Sequence, residues 1–114
     1  FGAELVERYT DGSGAVVHAL LRAGGAEWAV KDGDDVDPAP SGPGAVILAL
    51  EVDDPDAVAT AMVEHGGRVL FPVTDHDYGQ RGGRLADPFG HAWMVAAHAD
   101  DLTPEQIQER TGRL

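Results

Sequence analysis

Residues 83–98, GRLADPFGHAWMVAAH, constrain this chain more than any other stretch. At their centre Asp87-Pro88-Phe89-Gly90-His91 spells a tight turn. Pro88 fixes φ just after Asp87, and Gly90 permits a positive φ two residues on. Beyond the turn, residues 91–97 are mostly apolar, which is the pattern of a buried strand. A strand, this turn and a second strand make a hairpin, and the rest of the chain has to provide the sheet it belongs to.

The remaining pattern supplies one. Residues 5–9 are expected as a strand, followed by a hairpin turn, Thr10-Asp11-Gly12-Ser13-Gly14, with Asp-Gly at its centre. Strands at residues 15–22 and 26–30 flank a Gly24-Gly25 turn. Residues 32–44, DGDDVDPAPSGPG, have no apolar period and are expected as an exposed, mobile linker. Residues 45–52, AVILALEV, form a nearly continuous apolar strand. Asp54 then suits a helix N-cap and Pro55 the first helical position. Val58, Ala61 and Met62 give that helix its apolar face, and Gly66-Gly67 stops it. Residues 68–73 follow as a strand, and residues 74–83, TDHDYGQRGG, as a long polar loop before the hairpin. Thr103 and Gln106 stand three apart, a capping box that opens a short C-terminal helix.

Composition removes several function classes. A formal charge of −12 leaves no basic face for phosphate backbones, so nucleic acid is not an expected partner. That charge serves solubility, or it draws in a cationic small molecule. The absence of cysteine removes disulfides and thiolate chemistry. No apolar run approaches the roughly 20 residues that span a bilayer, so a cytoplasmic protein with no membrane partner is expected. Gly79-Gln-Arg-Gly-Gly83 is glycine-rich but opens no helix, so it is no phosphate loop.

The strand, the Asp-Pro-x-Gly-His turn and the second strand resemble the last hairpin of the vicinal-oxygen-chelate superfamily, the glyoxalase, bleomycin-resistance and extradiol-dioxygenase group. The tail from His98 to Arg110 resembles its PhnB-like glyoxalase/bleomycin-resistance branch. The resemblance implies an α+β fold of paired βαβββ modules around one cavity, with residues 1–31 a partial first module, 32–44 a linker, 45–98 the second module and 99–114 a C-terminal helix. Phe1-Gly2-Ala3-Glu4 resembles the end of the family's first helix, so the first strand and most of that helix are expected to lie outside this sequence. A homodimer that covers the exposed edge is expected with it.

The resemblance also says where chemistry would sit. Metal-dependent members carry His or Glu near the start of the first strand of each module and Glu near the end of the last. Aligned on Val52-Asp53-Asp54, the second module's His position falls on Ile47; aligned on Asp-Pro-x-Gly-His-x-x-Glu, its Glu position falls on Met94. Neither side chain can ligate a divalent ion as imidazole or carboxylate would. Glu27 alone would supply one carboxylate. No metal cofactor is therefore expected and no catalytic residue is assigned; an enzyme of this kind would be a glyoxalase-like lyase with ligands outside the sequence. The resemblance implies a metal-independent small-molecule binding protein of the bleomycin-resistance, antibiotic-binding type, which sequesters an aromatic or cationic compound in a cavity between the modules lined by His18, Trp28, Ile47 and Met94, with Tyr78 or Arg81 at its mouth. Arg81 alternatively ties its loop to Asp75, Asp77 or Asp87. Trp93 alternates away from Met94 and is expected to face the helix; His91 is expected to be structural, and His76 and His98 to face solvent.

Overall fold

A computed structural model describes residues 1–42 and 46–113. The chain divides into two compact units, Phe1–Ala39 and Pro40–Leu114. Among the described residues no helix is long and apolar enough to cross a membrane.

The first unit is a three-stranded antiparallel sheet in the order β1-β2-β3, with β1 at Glu4–Thr10, β2 at Val16–Ala23 and β3 at Ala26–Val30. The β1–β2 turn forms where Asp-Gly placed it. The Asp11 carboxylate accepts from Ser13 and Ala15 N–H, and Gly14 N–H donates to the Asp11 carbonyl. Alternation gives the sheet two different faces. Leu5, Leu21 and Trp28 are cross-strand partners on one face, with Phe1 edge-on to Trp28 at 6.3 Å. Tyr9 and His18 pair on the other, with Arg22 and Glu27. After β3 the acidic linker is exposed and carries a built turn: the Asp34 carboxylate accepts from Val36 and Asp37 N–H, and Lys31 Nζ reaches Asp34 and Asp37 at 2.7 and 3.0 Å. These bonds hold the Asp34 carboxyl down at about 2, the Lys31 ammonium foremost.

The second unit runs strand, helix, strand, strand, strand: β4 (Ile47–Glu51), α1 (Pro55–Glu64), β5 (Arg68–Asp75), β6 (Gln80–Ala86) and β7 (Ala92–His98), followed by α2 (Pro104–Thr111). The first residue expected in β4, Ala45, lies outside the described residues. The sheet order is β4-β7-β6-β5, with β4 parallel to β7 and the other pairs antiparallel. Such a parallel pair needs a long crossover, and α1 with the β5–β6 hairpin supplies it.

The helix ends follow local chemistry. The Asp54 side chain accepts from Ala57 N–H at 3.1 Å with Pro55 in the first turn, and Gly66 leaves the helix at φ +96°. Pro55, Val58, Ala59, Ala61 and Met62 are the turned-in residues of α1, which packs on β5, β6 and β7. Thr103 and Gln106 make the full capping box of α2. At the hairpin, Asp87 N–H donates to the His91 carbonyl at 2.8 Å and Gly90 takes φ +95°.

The loop expected over residues 74–83 is much shorter. β5 runs on to Asp75 and β6 begins at Gln80, so only residues 76–79 connect them. Gly82 and Gly83 read as loop from turn chemistry, but they lie inside a strand paired on both sides. Their place depends on close approach rather than turning. A Cβ on Gly82 would stand 2.7 Å from the Val95 carbonyl oxygen and 2.8 Å from Ala96 Cβ, and one on Gly83 would stand 2.8 Å from the Phe71 carbonyl oxygen. The core lies between this sheet and α1, where Leu85 and Val95 are fully enclosed at 0% exposure. Each contributes about 2–3 kcal/mol by burial.

Candidate functional site

Cross-strand pairing fixes which side chains share each face of the four-stranded sheet. On the α1 side stand Arg81, Leu85, Trp93, Val95 and Ala97. On the other side three rows cross the strands. One holds Glu51, Ala96, Gly82 and Thr74; the next Ala49, Met94, Arg84 and Phe71; the last Ile47, Ala92, Ala86 and Arg68. The middles of the outer two rows are glycine and alanine, on either side of Met94 and Arg84, so the surface sinks there.

A cavity of about 330 Å³ opens on this face. Gly82 and Ala96 form its floor and Phe71, His76, Tyr78, Arg84 and Met94 its walls. The turn at residues 76–79 builds one wall. His76 and Tyr78 stack at 4.8 Å and 8° between planes, and Phe71 lies 6.0 Å from His76. The His76 Nε2–H donates to the Gly82 carbonyl at 3.1 Å, because a carbonyl can only accept. Gly79, at φ +90°, lets the turn close against Leu102 and accepts from Ala99 and Asp100 N–H. A second depression of about 610 Å³ continues toward the hairpin, where Ile47, Arg68, Leu70, Arg84 and Phe89 line it. A third, of about 240 Å³, lies on the other side of Met94, beside Glu51 and Gln80.

The expected site residues separate on this map. Ile47 and Met94 stand on the same face, one row apart, and Tyr78 joins Met94 in the 330 Å³ cavity. Arg81 stands on the opposite face. Its Nε and Nη2 donate to both Asp56 carboxylate oxygens at 2.8 and 2.9 Å, and its Nη1 to Asp75 at 3.1 Å. That clamp joins β6 to the first turn of α1; it raises the Arg81 pKa and holds the Asp56 carboxyl below its ordinary value. Of the two readings of Arg81, this geometry is that of the tie. His18 and Trp28 lie in the first unit on opposite faces of its sheet. His18 stacks on Tyr9 at 6.0 Å, with Nε2 3.6 Å from a Glu7 oxygen.

Trp93 does face the helix side, and its Nε1–H donates to Asp87 Oδ2 at 2.9 Å. Asp87 Oδ1 takes Phe89 and His91 N–H, so one carboxylate fastens the turn to the strand it feeds. His76 was expected to face solvent and does not. It is half-buried in the cavity wall, drawn there by the Gly82 carbonyl and the Tyr78 ring. Phe71 and Arg84 are wall residues that sequence reasoning missed. Counting back in twos from the hairpin through Gly82 and Gly83 as strand would have found Arg84 opposite Met94.

The residues do not fit a metal ion. Among the described residues no three His, Cys, Asp or Glu side chains gather to hold one. Ile47 and Met94 present apolar atoms to this face, and Glu27 is held by Arg22 in an ion pair.

Comparison with known proteins agrees with this architecture. Residues 1–95 match the profile of the Glyoxalase/Bleomycin resistance protein/Dioxygenase superfamily. An uncharacterized protein of Mycobacterium bovis is 30% identical over 115 residues, covering 95% of this chain and 76% of its own. TioX from Micromonospora sp. ML1 superposes with a TM-score of 0.67 at 25% identity, over 86% of this chain and 80% of TioX. A glyoxalase-related enzyme from Fulvimarina pelagi gives 0.61 at 29% identity, over 86% and 72%. With its β-α-β-β-β second unit and a profile match across most of its length, the chain belongs to the vicinal-oxygen-chelate, or glyoxalase/bleomycin resistance protein/dioxygenase, superfamily.

Proposed function

We propose that this protein binds an aromatic small molecule without a metal ion, on the α1-free face of its second unit. One observation carries the reading. Met94, which the family resemblance aligns with a carboxylate position, forms the wall of a 330 Å³ cavity together with Phe71 and the His76–Tyr78 stack. Aromatic and thioether walls suit a planar apolar body, and a cavity of that volume matches small-molecule sites. The acidic charge had also suggested a cationic ligand; Arg84 in the wall weighs against that half of the expectation. A dimer belongs to the same proposal, since Ile47 and Leu48 on the edge strand β4 are 44% and 41% exposed.

A thermal-shift screen of planar aromatic compounds, run with and without chelator, tests this. A binder at a hundred times its Kd adds about 2.7 kcal/mol, on the order of 10 °C for a chain this size. The shift should be the same with chelator and should vanish in Met94→Glu. One divalent ion per chain, with stability or turnover lost on chelation, would overturn the reading. It would favour the alternative, a metal-dependent glyoxalase-type lyase, isomerase or dioxygenase. The likeness to a glyoxalase-related enzyme supports that alternative, and it needs donors beyond the described residues.

A further inference from the structure

The same face carries a charge pattern that the aromatic walls do not explain. Arg84 borders both the 330 Å³ and the 610 Å³ cavity, and Arg68 lines the larger one. Arg68 pairs across the strands with Ala86, two residues from Arg84, and a register shift after Val69 sets Phe71 opposite Arg84; diagonal neighbours of a regular sheet stand about 7–8 Å apart. Two arginine side chains at that spacing can close on one small anion. Neither is in an ion pair among the described residues, although Asp and Glu outnumber Lys and Arg by 20 to 8 in the chain.

The nearby carboxylates are committed elsewhere. Asp56 and Asp75 are taken by Arg81 on the other face, and Asp87 by Trp93 and two turn N–H groups. Glu51 is on the same face, but one row over and across β7, on the order of 12 Å from Arg84 by ordinary sheet spacings. The chain's formal charge of −12 acts at long range and is screened within about 8 Å at physiological salt, so the local pair decides what this face holds.

We propose that this face binds an aromatic carboxylate, its ring in the 330 Å³ cavity against Phe71, Tyr78 and Met94 and its carboxylate between Arg84 and Arg68. The proposal rests on the aromatic-binding reading above and adds the ligand's charge. A guanidinium fork matches a carboxylate in shape as well as charge.

Three probes of one shape separate the claims: 2-naphthoate, 2-naphthylmethanol and 2-naphthylmethylammonium, titrated calorimetrically at constant ionic strength. Naphthoate should bind about tenfold tighter than the alcohol, the order expected for one partly exposed charge-assisted contact. Arg84→Gln and Arg68→Gln should each remove that preference, so that naphthoate and the alcohol bind the same variant equally. Arg113→Gln, an equal charge change just beyond the end of α2, should leave it intact. Two separate arginine variants, each checked by circular dichroism, keep the test decisive should one fail to fold. If the alcohol or the ammonium compound binds as tightly as naphthoate, the charge assignment falls and the aromatic-binding reading stands. A preference for naphthoate that survives both arginine variants overturns the site. If none of the three binds, both readings fall.

Discussion

Arg81 and Arg84 stand on the same strand and point to opposite faces of the same sheet. Arg81 is locked by three hydrogen bonds to Asp56 and Asp75 and ties the sheet to α1. Arg84 borders two cavities and enters no ion pair among the described residues. Trp93 and Met94 repeat the contrast on β7. The indole is fastened to Asp87, whereas the thioether lines open space. One step along a strand exchanges a residue whose polar groups are satisfied inside the fold for one whose surface remains available. Structure and proposed site in this unit are therefore two sides of one sheet, and alternation alone sorts residues between them.

That division gives the faces different sensitivities. The largest effect is expected in the core. Leu85→Ala should cost about 2–5 kcal/mol in urea denaturation, while Met94→Ala, half-exposed on the other face, should cost about 1 kcal/mol and act mainly on ligand binding. Equal losses at the two positions would break the comparison. Next comes Gly82→Ala, expected to cost about 1–3 kcal/mol because the new Cβ meets a backbone carbonyl oxygen at 2.7 Å that cannot swing aside. It should also shallow the 330 Å³ cavity, so a stability loss with ligand affinity unchanged would show that Gly82 serves the strand and not the cavity floor. Trp93→Phe keeps the ring but removes its N–H, and should cost about 1 kcal/mol with no effect on binding of a naphthyl probe. A loss of probe binding there would mean the faces are coupled.

The smallest effect is the acid dependence of the Arg81 clamp. Its bond to Arg81 holds the folded Asp56 carboxyl below the ordinary 3.8, so the clamp's contribution is fully present above that value. It is lost as pH falls through the folded value, when protonation breaks the pair. Asp34, held at about 2 by Lys31, loses its contribution between about 4 and 2 in the same way. Stability curves of wild type and Asp56→Asn should therefore differ at pH 6 and converge toward pH 2. Parallel curves across that range would show that the clamp adds nothing on the helix face. Both groups are exposed, so these differences should be smaller than those of the core variants.

Much of the second unit was legible before its structure. The Asp87–Gly90 turn, the Asp54 cap with Pro55, the Gly66 stop and the Thr103–Gln106 box each depend on residues within a few positions of one another. Such short-range hydrogen bonds leave their signature in sequence order, and the alternation of Trp93 against Met94 is equally local. The family resemblance likewise came from the Asp-Pro-x-Gly-His turn. The misreadings share one cause. Gly82, Gly83 and Arg84 form a strand only because β5 and β7 flank them, and glycine by itself signals a turn. His76 turns inward because the Gly82 carbonyl and the Tyr78 ring await it.

The sequence by itself determined the turns and helix caps that depend on neighbouring residues, and which residues alternate along β7. Only the tertiary structure decided which arginine is spent and which remains. Arg81 meets Asp56 across 25 residues of chain, and Arg84 is left beside Arg68 by the pairing of β5 with β6. A partner chosen through strand pairing and helix packing leaves no mark in local sequence, because the residues that meet are brought together by the core and not by their spacing.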